Sequence, residues 1–85
     1  MIYQAGSYRP QTQEEVNRAV YYWETRKKSL EAYIKTIDPY GGEFDHVMEE
    51  LFTIRDELFR LNVIGSDISV RTLLEMHRNQ EQATP

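Results

Sequence analysis

Residues 12–42 have the sequence TQEEVNRAVYYWETRKKSLEAYIKTIDPYGG, and this stretch decides the fold. Thr12 and Glu15 form a capping box, in which each side chain can bond the backbone N–H of the other at a helix start. Pro39 disfavours helical backbone in the residue before it, and two glycines follow closely. The pattern therefore predicts a first helix over residues 12–37, closed by a sharp turn.

Apolar residues recur along this segment at the spacing of one helix face. The positions are Val16, Val20, Trp23, Leu30, Ile34 and Ile37. Lys27 stands where the stripe would otherwise have continued. We therefore expect one face of the first helix to be buried, with Trp23 in the core.

A second helix is predicted over residues 43–62, because apolar residues again follow a helical spacing. The stripe consists of Val47, Leu51, Ile54, Leu58 and Leu61, and a second row consists of Phe44, Met48, Phe52 and Phe59. Gly65 is expected to end this helix. Ser66 or Asp67 then caps a short third helix over residues 67–80, although the β-branched residues nearby also permit a short extended segment.

The expected fold is an all-α single domain over residues 1–85. It is a small helical bundle built on a long antiparallel helical hairpin, with the short third helix and an extended N-terminal arm over residues 1–11. Two long apolar stripes need more cover than one short helix supplies. A homodimer, or docking into the groove of a partner, is therefore expected.

Composition excludes several classes of function. The 85 residues carry a net charge of −4 and no cysteine, which rules out disulfides and thiolate metal sites. Residues 1–35 carry six basic and four acidic side chains, and residues 36–85 carry four and ten. This balance argues against bulk nucleic-acid binding. No apolar run approaches the roughly 20 residues of a membrane span, and a cytoplasmic location is expected.

One pattern resembles a metal site but is incomplete. Glu43 and His46 have the Glu-x-x-His spacing that di-iron carboxylate bundles use, yet such bundles need two of these pairs and two further glutamates. A small metal-dependent enzyme at Glu43 and His46 is kept as an alternative. The primary expectation is a protein without catalytic residues, metal or cofactor.

Aromatic and basic residues mark the expected contacts with a protein partner, because interfaces favour aromatic residues and arginine. The predicted partner-binding residues are Tyr21, Tyr22, Arg26, Lys27, Phe52, Arg55 and Phe59. The predicted function is that of a non-enzymatic helical protein that binds a larger macromolecule. The alternative is a nucleotide- or nucleic-acid-binding regulator in which residues 26–28 meet phosphate.

Two resemblances accompany these patterns. The opening MIYQAGSYRP, with Thr12 and residues 14–16, is similar to the start of nucleoside 2-deoxyribosyltransferase-like proteins, where a strand and a glycine turn precede a helix. The similarity does not extend past Tyr21, the later strands have no counterpart, and no site residue is carried over. In size and acidity the chain also resembles small phage inhibitors of host machinery, including anti-CRISPR proteins.

Overall fold

The computed structural model describes residues 4–83, and side chains through residue 79. Within this part the chain is helical, with α1 over Gln13–Ile34 and α2 over Gly42–Ala83, and it contains no strand. The molecule measures 70 × 19 × 18 Å. This length reflects α2, because 42 helical residues extend about 63 Å at 1.5 Å each.

The first helix begins as predicted and ends earlier than predicted. The Thr12 hydroxyl accepts a hydrogen bond from the backbone N–H of Glu15, whereas the Glu15 carboxylate accepts from the N–H of Gln11 rather than from that of Thr12. At the other end, the N–H and hydroxyl of Thr36 both donate to the Tyr33 carbonyl. This local bonding competes with the helical ladder and ends α1 at Ile34.

The predicted break at Gly65 and the separate third helix over residues 67–80 are wrong, because these residues continue α2 without interruption. Glycine costs about 1 kcal/mol inside a helix relative to alanine. A Cβ atom at Gly65 would lie 3.3 Å from Cγ1 of Val16, so the missing side chain lets α1 approach closely. Gly65 therefore serves helix packing rather than helix termination.

The two helices run antiparallel. Arg26 of α1 contacts Glu50 at 3.3 Å, whereas Gln13, at the start of α1, lies 3.3 Å from the Ser69 hydroxyl. Their shared core is formed by Ala19, Trp23, Ile54 and Leu61, with Val20, Leu30 and Leu58 packed against it. The expected burial of Trp23 is confirmed. Because α1 begins at Gln13, which contacts Ser69, the part of α2 that follows Ser69 extends beyond α1.

The predicted arm over residues 1–11 is described from residue 4 onward, and residues 1–3 lie outside the described part. Residues 4–12 are not helical, and Gly6 has a positive φ of 80° within a turn. The N–H of Gly6 donates to the Glu57 carboxylate at 2.6 Å. This segment therefore lies against α2. Among the described residues, neither helix is long and apolar enough to cross a membrane.

Candidate interaction surface

An exposed row of large apolar side chains follows the side of α2 that faces away from α1. We call it the outer stripe. It consists of Phe52, Phe59, Val63, Val70 and Leu74, each at least half exposed. At about 100° per residue, all five lie between about 140° and 200° around the helix from the buried Ile54. The outer stripe is therefore opposite the core, and it extends about 33 Å along α2.

The part of α2 that extends beyond α1 also carries apolar side chains on the outer stripe. On the side where α1 would have continued, this part carries Thr72, Glu75 and Asn79, which are polar, and Met76. Its other apolar side chains lie on the outer stripe or, for Leu73, beside it. The projecting end of α2 is therefore patterned to bury its outer side rather than to extend the packing against α1.

Three predicted contact residues lie on or beside this surface. Phe52 and Phe59 belong to the outer stripe, and Phe59 is 71% exposed. The guanidinium carbon of Arg55 lies 5.3 Å from the centre of the Phe52 ring, which is cation–π geometry. Arg55 thus covers one end of the stripe while keeping its charge in water.

The predicted contacts on α1 lie elsewhere. Tyr21 is 74% exposed and points away from α2, about 160° around α1 from the buried Ala19. Tyr22 is half-buried, packs against the core and meets the Trp23 ring edge to face at 5.0 Å. An open groove beside these tyrosines is lined by Glu14, Asn17, Arg18, Thr25, Arg26 and Ser29. The structure therefore places Tyr21 and Phe59 on opposite outer sides of the molecule.

The two basic residues that follow have different surroundings. Arg26 forms an ion pair with Glu50, and His46 lies 3.7 Å from the same carboxylate. Lys27 is half-buried, and no acidic side chain of the described residues lies within ion-pair distance of it. Arg26 thus uses part of its charge within the fold, and residues 26–28 do not form a uniform basic patch.

Glu43 and His46, the alternative metal site, have separate partners. The Tyr33 hydroxyl donates a hydrogen bond to the Glu43 carboxylate, which raises the pKa of Tyr33 above its usual 10.0. Neighbouring His46 is oriented towards Glu50 instead. Within the described part of the chain, no group of three or more His, Asp or Glu side chains could hold a metal ion.

A buried acid that sequence reasoning missed fixes the arm. Glu57 is only 3% exposed, and its carboxylate accepts from Gly6 N–H and from the Arg60 guanidinium. Arg60 also donates to the Tyr8 carbonyl at 2.5 Å, and its hydrogen bond to the Glu57 carboxylate raises the pKa of Arg60. Glu57 follows Ile54 by three residues and therefore lies at the edge of the core. This spacing is the feature of the sequence that could have indicated its burial.

Comparison with known proteins adds no family assignment. No protein-family model, no curated protein and no solved structure matches the chain.

Proposed function

We propose that this chain is a non-enzymatic helical interaction protein that binds a macromolecular partner through the outer stripe of α2. The observation that carries the proposal is the alignment of five exposed large apolar side chains on one side of a helix whose other side is already packed. Single exposed apolar residues are common, but contiguous apolar surfaces mark interaction sites.

The energetics support binding rather than exposure. Burying one such side chain contributes about 1.5–3 kcal/mol. Phe52 and Phe59 resemble the aromatic anchors that dominate interface energies. The geometry suits the packing of another helix along the stripe, in which anchors are read at helical spacing.

Tyr21, Tyr22, Arg26 and Lys27 stay predicted contacts of a larger partner. Because Tyr21 points away from α2, a partner that touches both Tyr21 and Phe59 must reach around the helix pair. Inhibition of a host complex by a phage protein is likewise a prediction that only identification of the partner tests.

The test compares Phe59→Asp with the matched control Tyr40→Asp. Phe59 lies on the outer stripe, whereas Tyr40 lies in the turn between the helices and is 95% exposed. Tagged wild-type protein and both variants would be recovered from source cells, and the bound protein, including untagged copies of the chain, would be quantified. We expect Phe59→Asp to lose at least 90% of the bound protein while Tyr40→Asp retains it. Equal recovery by all three would contradict the proposed function.

A further inference from the structure

The outer stripe is bordered on one side by a row of charged residues, which we call the charged edge. It consists of Glu49, Asp56, Arg60, Asp67, Arg71 and Arg78. These residues lie between about 200° and 260° around α2 from Ile54, directly beside the stripe. Five of the six are exposed, and Arg60 is half-buried.

The signs along the charged edge follow a pattern with a centre. In chain order they are negative, negative, positive, negative, positive and positive. Positions at equal distances from a point between Val63 and Ile64 always carry opposite charges. When a second copy of the helix runs in the opposite direction, each charge on its charged edge therefore faces an opposite charge on the first copy.

We propose, on the basis of the interaction function above, that the outer stripe binds the outer stripe of a second copy of this chain, with the two α2 helices antiparallel. A two-fold axis between Val63 and Ile64 places the two charged edges side by side. Asp67 of one copy then lies level with Arg60 of the partner subunit, Asp56 with Arg71 of the partner subunit, and Glu49 with Arg78 of the partner subunit. Because the arrangement is two-fold, each of these contacts occurs twice.

The charges also disfavour the competing arrangements. A shift of the antiparallel pair by seven residues in one direction places Arg60 level with Arg60 of the partner subunit. The same shift in the other direction places Asp67 level with Asp67 of the partner subunit. A parallel pair brings the charged edge against the other border of the stripe. There Arg55 meets Arg60 of the partner subunit, so like charges face each other.

Arg60 and Arg71 of the charged edge already have partners within one chain, and the arm lies beside Asp56 and Arg60. Asp67 lies 3.0 Å from Arg71 one helical turn away, and both side chains are well exposed. Arg60 uses part of its guanidinium on Glu57 and Tyr8. A guanidinium has five N–H donors, so both arginines keep donors for a second carboxylate.

The test uses two charge-reversal variants. Each variant alone should weaken the homodimer, and mixing the two should restore association. In the homodimer, Asp56→Arg places a positive charge at position 56 level with Arg71 of the partner subunit. Arg71→Asp places a negative charge at position 71 level with Asp56 of the partner subunit. In a mixed dimer of the two variants both contacts become attractive again. We expect each variant alone to dissociate about tenfold more readily than wild type, because two attractive exposed pairs are replaced by repulsive ones. The 1:1 mixture should regain wild-type association in sedimentation equilibrium, with circular dichroism showing that both variants stay helical.

The outcomes separate this inference from the proposed function. A monomeric wild-type chain, or a mixture that associates no better than its two components, overturns the second-copy assignment. If such a monomer still recovers a foreign protein in a manner sensitive to Phe59→Asp, the interaction function stands. If Phe59→Asp also changes nothing, both proposals fail.

Discussion

Val16 Cγ1 lies 3.3 Å from the position that a Cβ atom on Gly65 would occupy. This contact joins the first turn of α1 to the middle of α2, and it explains why α2 continues through a glycine. The distance is tighter than ordinary van der Waals contact, so a side chain larger than alanine at this position has no room unless α1 moves.

Gly65→Leu should therefore destabilise the fold by about 2 kcal/mol, as overpacking does in other cores. Urea denaturation followed by circular dichroism measures the change. Gly42→Leu is the matched control, because a Cβ atom at Gly42 meets nothing within 4 Å. Combining Gly65→Leu with Val16→Ala should recover part of the loss. Equal stability of the two leucine variants would show that the close contact does not exist.

Core and outer-stripe residues should respond differently to truncation. Ile54 is among the most deeply buried side chains, so Ile54→Ala should cost about 2–5 kcal/mol of folding free energy. Phe59→Ala, at an exposed position, should change the folding free energy of the monomer by about 0.5 kcal/mol or less. Denaturation at a protein concentration too low for association separates the two effects. Comparable losses would mean that Phe59 belongs to the core.

Removing the Glu57 carboxylate should release the arm. Glu57→Ala deletes the acceptor of the Gly6 N–H and leaves Arg60 without its carboxylate. Hydrogen exchange at the Gly6 amide, followed by NMR, should accelerate at least tenfold. Glu49→Ala is the control, because Glu49 is exposed on the same helix and does not contact the arm. Unchanged exchange at Gly6 in Glu57→Ala would refute the anchoring role.

Tyr33 gives a prediction about alkaline pH. Its hydrogen bond to Glu43 raises its pKa above 10.0, and this bond needs the protonated phenol. A pKa that is raised on folding contributes stability below pH 10, and this contribution disappears as pH rises through the folded-state pKa. Ultraviolet titration should show that Glu43→Gln returns the Tyr33 pKa towards 10. The difference in melting temperature between wild type and Tyr33→Phe should shrink above pH 10, and a constant difference would contradict the assignment.

Sequence patterns predicted the helical class and the start of α1, because capping and apolar spacing are local signals. Thr12 and Trp23 behave as expected for this reason. The end of α1 and the continuity of α2 depend on what the chain meets in space. In the sequence alone, Gly65 predicts the end of a helix. Its role in packing depends on Val16, which is distant in the sequence.

The candidate surface was predicted only in part. The sequence predicts Phe52 and Phe59 as contacts together with Tyr21, which lies on the opposite side of the molecule. A break at Gly65 separates Val70 and Leu74 from the phenylalanines, because these residues share one side only if α2 is a single helix. The role of Glu57 was equally hidden, since it depends on a backbone N–H from a distant segment.

The central claim is that the outer stripe is an interface. Sedimentation equilibrium of the purified chain, compared with Phe59→Asp and Val63→Asp, tests it most directly. Wild type should sediment at twice its chain mass of 10.1 kDa at micromolar concentration, and both variants should sediment as helical monomers. A wild-type chain that stays monomeric at all concentrations and binds nothing that the variants lose would contradict the account.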